Sequence, residues 1–239
     1  MVTSVSAFEI RETLEKLGDL EKKETLLRFF KTGKGEYGEG DLFLGVTVPM
    51  IRKVAKCYIN VKEEVVLELL SSSYHECRLC ALLIWVARFR KASLEEQALI
   101  YTDYLAHTRF INNWDLVDLS APSIVGGSLL KRMEEAKEQL KALASRESLW
   151  DQRIAVVATY AFIREGCFEY TLVLSEYHLH HPHDLMQKAI GWMLREVGKR
   201  DKGVLLAFLD LHHKEMPRTM LRYAIEKFSL EERTYYMRR

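Results

Sequence analysis

The chain has 239 residues, 48% hydrophobic and 29% charged, the composition of an ordinary globular protein long enough to bury a large core as one domain or a repeat array. Its longest apolar run, Ala81 to Ala87, is far short of the roughly 18 residues that span a bilayer, and the residues around Glu9, Arg11 and Glu12 lack an apolar signal segment. Four cysteines make no disulfide framework at this length, so membrane-spanning and secreted disulfide-stapled classes are excluded and a cytoplasmic location is expected. The net charge of +1 hides an asymmetry. Residues 188–239 carry 12 Lys/Arg against 7 Asp/Glu, a net of +5, leaving −4 on residues 1–187. A positive field at the C-terminal end points modestly to nucleic acid.

The periodicity is helical nearly throughout. Ala7–Leu17 opens the chain with Ser6 as N-cap, and Leu20–Lys31 follows. Gly33 to Val46 reads as a glycine-rich loop. Thr47 then caps a helix running through Tyr58, with Pro49 tolerated in its first turn. Further helices are predicted at Lys62–Leu70, Tyr74–Phe89, Leu94–Ala106, Trp114–Lys137, Trp150–Arg164, Glu169–Tyr177, Asp184–Lys199, Gly203–His212, Pro217–Phe228 and Leu230–Met237. Pro122, Gly126 and Gly127 make the Trp114–Lys137 stretch two helices or one kinked helix. No segment sustains a two-residue alternation, so no sheet is expected.

Five of these helices share a position, held by Arg78, Asp118, Arg153, Lys188 and Arg222, at separations of 40, 35, 35 and 34 residues. That period is the signature of stacked helical pairs, as in HEAT or armadillo arrays. The expected fold is an all-α superhelical solenoid of HEAT-like helical pairs with a concave groove, one domain over residues 1–239. Equivalent positions in such an array form a row along one surface. Four cations in that row suit a polyanion, and Asp118 would repel one, so phosphate binding does not account for it.

Three familiar motifs fail on context. Gly33 to Gly38 satisfies G-x-G-x-x-G, yet a helix precedes it and a loop follows, where the dinucleotide fingerprint requires a strand and then a helix. Cys77 and Cys80 form a C-x-x-C with no second pair for zinc and lie among apolar neighbours, where cysteine acts as a small hydrophobe. His178, His180, His181 and His183 fall in a loop around Pro182, with Asp184 as an N-cap, and read as surface histidines without a functional metal. No cofactor is called for.

A more coherent set comes from three helices. Trp114 lies four residues before Asp118, and Trp192 four after Lys188, so each indole shares the face of its charged neighbour. Arg153 occupies the matching position between them. In the repeat register, two indoles, a carboxylate and a guanidinium converge on neighbouring rungs. Taken alone, a tryptophan on such a helix is more often core than ligand platform, and Asp118 suits a structural ion pair with Arg153.

Four stretches of the chain are similar to the AlkD-like DNA alkylation-repair glycosylases, a HEAT-like helical family. They are Asp41 to Pro49 (D-L-F-L-G-V-T-V-P), Asn113 to Asp118 (N-W-D-L-V-D), Leu149 to Arg153 (L-W-D-Q-R) and Gln187 to Glu196 (Q-K-A-I-G-W-M-L-R-E). The resemblance implies that Asp118 is the catalytic carboxylate, Arg153 the essential arginine, and Trp114 and Trp192 the aromatic walls beside the lesion sugar. Tyr37 matches a further aromatic residue after a one-residue gap, and Asn113 stands where some members carry another tryptophan. It also implies duplex DNA in the groove with the lesion left largely stacked, unlike the base-extruding glycosylases. Arg78, Lys188 and Arg222 are then expected phosphate contacts.

The resulting expectation is a monomeric, metal-independent DNA glycosylase that cleaves the N-glycosidic bond of cationic N3- or N7-alkylated purines in duplex DNA. Two other classes fit the same residues. One is a HEAT-repeat protein that binds duplex DNA without cleaving it. The other is a protein-binding scaffold, as helical solenoids often are.

Overall fold

The computed structural model describes residues 5–238. It is all-α: among the described residues the only β feature is an isolated parallel bridge between Leu42 and Tyr74. Among those residues no helix is long and apolar enough to cross a membrane. Contacts cluster into two compact units, Met1–Ser120 and Ala121–Arg239.

The first unit contains α1 (Ala7–Glu15), α2 (Leu20–Phe29), α3 (Val48–Cys57), α4 (Glu63–Leu70), α5 (His75–Phe89), α6 (Leu94–Ala106), a 3-10 turn at Thr108–Phe110, and α7, which spans Trp114–Ala121. Ser6 caps α1 as the sequence predicts, in a reciprocal arrangement with Glu9, and Ser93 and Glu96 repeat it at α6. Thr47 takes the cap position of α3, but its hydroxyl makes no capping bond. Helix α5 is buried nearly all round, the mark of a central helix. Helices α1, α3, α4 and α6 all pack against it, over a core centred on Trp85, Leu82 and Tyr104.

The second unit opens with a wide π-type turn at Pro122–Gly126, so the predicted Trp114–Lys137 stretch is broken where proline and glycine fall. It contains α8 (Gly127–Leu129), α9 (Met133–Ala144), α10 (Leu149–Ala158), α11 (Tyr160–Arg164), α12 (Glu169–Tyr177), α13 (Asp184–Arg200), α14 (Lys202–His212), α15 (Arg218–Ala224) and α16 (Leu230–Met237). The predicted Trp150–Arg164 helix is interrupted at buried Thr159, whose hydroxyl bonds the Val156 carbonyl at 2.7 Å. At α13 the cap is His183, which accepts the Leu185 amide at 3.1 Å, and Asp184 is already helical. Helices α10, α13 and α15 pack in that order as neighbours. Gly191 permits the last contact: a Cβ there would stand 2.4 Å from the Met220 carbonyl and 2.5 Å from the Tyr223 Cβ.

Candidate active site

In the first unit the predicted residues gather at the start of α7. Leu116, Val117, Ser120 and Ala121 are buried, which leaves Trp114, Asp115, Asp118 and Leu119 on the half-exposed face. Trp114 and Asp118 are thus successive steps of one face, as their spacing requires. Asp118 engages a polar or charged partner there. Buried Asn113 precedes the helix and accepts the Trp114 amide on its side-chain oxygen at 2.9 Å.

The Trp114 indole stacks on Phe30, with centroids 5.5 Å apart at 23°, and meets the edge of Phe29 at 5.9 Å and 71°. Phe30 is buried, whereas Phe29 at the end of α2 is 60% exposed. Neither phenylalanine stands out in the sequence, where both read only as apolar content of a helix. Tyr37, the expected aromatic neighbour, is half-buried, and its hydroxyl makes a long 3.4 Å contact to the Phe29 carbonyl.

Beneath this face lies a buried polar cluster that the sequence does not announce. His75, the first residue of α5, is 2% exposed, with Nε2 2.8 Å from an Asp115 carboxylate oxygen and Nδ1 3.4 Å from Asp41. Phe43 stacks on the imidazole at 4.7 Å and Phe30 lies tilted against it at 4.8 Å. Burial opposes protonation of His75, but the Asp115 and Asp41 carboxylates outweigh it and raise the imidazole pKa above its ordinary value. For Asp41, burial is outweighed by His75, Arg78 and Asn112, so its carboxyl titrates below the usual range.

Arg78 belongs to this cluster, which corrects its expected place among the phosphate contacts. It is 3% exposed, 2.8 Å from Asp41, and donates to the Ser72 carbonyl at 2.9 Å. The Asp41 contact is close but lies off the hydrogen-bonding axis. A guanidinium enclosed this way offers no surface to a phosphate. The period placed it correctly on its helix, but Asp41, 37 positions earlier, comes in over it.

The F-L-G stretch is explained by the neighbouring Glu76. Its carboxylate is 1% exposed and accepts the amides of Leu44 at 2.9 Å, Gly45 at 2.8 Å and Val46 at 3.2 Å. Three converging N–H groups satisfy a buried charge that would otherwise be costly. Gly45 sits at φ +87°, and a Cβ there would meet the Asp19 carbonyl at 2.0 Å. The motif therefore fixes the loop that delivers Asp41 and Phe43 to His75.

The second unit holds the remaining predicted residues on its three packed helices. Arg153 on α10 is 4% exposed and donates to the Leu185 carbonyl. Lys188 and Trp192 share the half-exposed face of α13. Lys188 pairs with Asp184 one turn back at 2.6 Å, and Trp192 lies 6.1 Å from Tyr160 at 33°. Arg222 on α15 is exposed, its Nε 3.3 Å from the Arg218 carbonyl. Within the K-A-I-G-W-M-L-R-E stretch, Gly191 serves packing, and buried Glu196 pairs with Lys199 at 2.6 Å.

The other motifs take structural places. Cys77 and Cys80 are buried in α5, where burial pushes their thiols up to about 11 and about 12. Buried His178 has its pKa pushed down to about 4 by burial and by nearby His181. His181 bonds Gln152 at 2.8 Å, and His180 lies 3.5 Å from Glu215. Among the described residues no three His, Cys, Asp or Glu side chains come together as metal ligands.

Comparison with known proteins adds two findings. The model of a family described as DNA alkylation repair enzyme matches residues 10–228. A solved structure described as a predicted DNA alkylation repair enzyme from Enterococcus faecalis superposes with a TM-score of 0.69 at 16% identity, covering 89% of this chain and 97% of that one. At that identity the likeness is one of fold. No curated protein matches the chain in sequence.

Proposed function

The chain belongs to the DNA alkylation repair enzyme family, and from that premise we propose that it is a monofunctional DNA glycosylase acting on cationic N3- or N7-alkylated purines in duplex DNA. The observation that carries the reading is Asp118, a carboxylate one turn from an indole on the half-exposed face of α7.

The substrate sets what the protein must supply. A purine alkylated at N3 or N7 already bears a positive charge, so the C1′–N bond breaks with its electron pair passing to the base. The base leaves neutral, without a general acid. Paired carboxylates of the kind ordinary glycosidases place on either side of the bond are not needed. What remains is a deoxyribose with oxocarbenium character and a water that adds to C1′ and gives up a proton. In this reading Asp118 stabilises the sugar through its charge and orients the water. An aimed electrostatic group of this kind contributes roughly 2.7–4 kcal/mol to lowering a barrier. The indole face of Trp114, one turn from Asp118, adds a cation–π attraction of roughly 0.5–2 kcal/mol to the cationic sugar and lesion. Lys188 and Arg222 supply positive charge for the DNA backbone, a salt-sensitive contribution, while Arg153, as enclosed as Arg78 at 4% exposure, acts from within the protein rather than on a phosphate.

Incubation with duplex DNA containing 7-methylguanine tests the proposal: free base and an abasic site are expected. Salt-sensitive binding without base release would instead identify a duplex-binding protein that performs no chemistry.

A further inference from the structure

The Asp41–His75–Asp115 cluster has a geometry that general packing does not require. A neutral imidazole carries one N–H, yet both ring nitrogens of His75 face carboxylate oxygens, at 2.8 and 3.4 Å. Only the imidazolium presents a proton to each. The charges agree. Asp41 and Asp115 bring two negative charges and Arg78 one positive, so a protonated His75 makes the enclosed set neutral and a neutral one leaves it at −1. The groups that face the ring are Asp41 from the loop before α3, Asp115 from α7 and Arg78 from its own helix, with Asn112 bonding Asp41 at 3.2 Å.

Two routes lead from this imidazole to Trp114. Along one, His75 holds Asp115, the next residue of the α7 first turn. Along the other, its face meets Phe30, and Phe30 stacks on the indole. Asp118 follows one turn later on the same short helix.

We propose that His75 is a positioning residue for the Asp118 site, a buried imidazolium that fixes the first turn of α7 through Asp115 and seats the Trp114 indole through Phe30. The proposal rests on the reading of Trp114 and Asp118 as site residues. Displacing a reacting geometry by about 1 Å costs on the order of 100-fold in rate. Loss of the His75 proton is therefore felt in catalysis and at the indole, with little change in affinity for DNA.

Two measurements test it, one independent of activity. The first follows the Trp114 indole N–H resonance, assigned with Trp114→Phe, and the His75 imidazole resonance, assigned with His75→Gln, as pH rises. Both are expected to titrate with one midpoint above the ordinary histidine value of about 6.5, and Asp115→Asn should move both midpoints down together. An indole resonance that stays fixed while His75 titrates overturns the proposal. So does a His75 midpoint at or below the ordinary value. The second is single-turnover release of 7-methylguanine. The native rate should decline through the same midpoint. His75→Gln should run roughly 10- to 100-fold slower without that decline, binding duplex as the native protein does. A His75→Gln variant with the native rate and native pH profile overturns the positioning role. Native protein that releases no base at all removes the glycosylase reading and leaves the indole titration to decide the positioning.

Discussion

The Phe30 ring lies flat against the Trp114 indole, centroids 5.5 Å apart at 23°, while its chain neighbour Phe29 meets the same indole edge-on from the surface. The two phenylalanines should respond differently to truncation. Phe30→Ala opens a cavity between Trp114, Phe43 and His75, and a buried Phe→Ala typically costs about 3–5 kcal/mol. Phe29→Ala removes the edge contacts to Trp114 and Phe30 at an exposed position, each worth about 0.5–1.5 kcal/mol at most. Urea denaturation of both variants should place Phe30→Ala well below Phe29→Ala; equal losses would contradict the assigned packing.

Glu76 and Gly45 should prove similarly intolerant. Glu76→Gln turns an acceptor of three amides into a group whose –NH2 faces donors, and hydrogen bonds to a charged group contribute about 1.5–3 kcal/mol. Gly45→Ala meets both a positive φ and the Asp19 carbonyl. Each variant should lower the denaturation midpoint, and hydrogen exchange should show the amides of Leu44 to Val46 losing protection in Glu76→Gln. Unchanged protection there would show that the carboxylate does not hold the loop.

Thiol reactivity follows from burial. With their pKa values pushed up to about 11 and about 12, Cys77 and Cys80 carry almost no thiolate at pH 8. Maleimide labelling of native protein, read by peptide mass spectrometry, should modify exposed Cys57 and leave this pair untouched until denaturant is added. Rapid native labelling of Cys77 or Cys80 would contradict the assigned burial.

The His178 imidazole makes stability depend on acid. Its folded pKa is pushed down to about 4, whereas an unfolded histidine titrates near 6.5. Between those values the unfolded chain binds the proton and the folded one does not, so stability falls as pH drops through this window. His75 has the opposite sign: its pKa is raised on folding, so its contribution is present in full below about 6.5 and is lost as pH rises through the folded value. Comparing native protein with His178→Gln isolates the first effect. From pH 7 to pH 5 the native protein should lose about 2 kcal/mol more than the variant. Parallel pH profiles would refute the depressed pKa.

Much of the architecture was legible because it is local. The 3.6-residue pattern and caps such as Ser6 place most helices within a few residues, and Pro122 with Gly126 marks the break after α7. What escaped depends on side chains bonding their own backbone or on distant segments. Thr159 ends α10 through its hydroxyl, and His183, not Asp184, caps α13. The repeat period put Trp114 and Asp118 on one face of α7 and Lys188 and Trp192 on one face of α13, because both pairs are four residues apart. It could not show that Asp41 encloses Arg78, nor that Phe29 and Phe30 reach Trp114 across more than eighty residues of chain. His75 was invisible for the same reason: its two carboxylate partners lie 34 and 40 positions away on either side.

The central claim is that one carboxylate on α7 carries the chemistry, and substitution by its isosteric amide tests it most directly. Native and Asp118→Asn protein, first shown to unfold at the same denaturant concentration, would be mixed in excess with duplex DNA containing 7-methylguanine. The native protein should release free base and leave abasic sites, and the variant should do so on the order of 100- to 1,000-fold more slowly. Release that continues undiminished in Asp118→Asn would contradict the account.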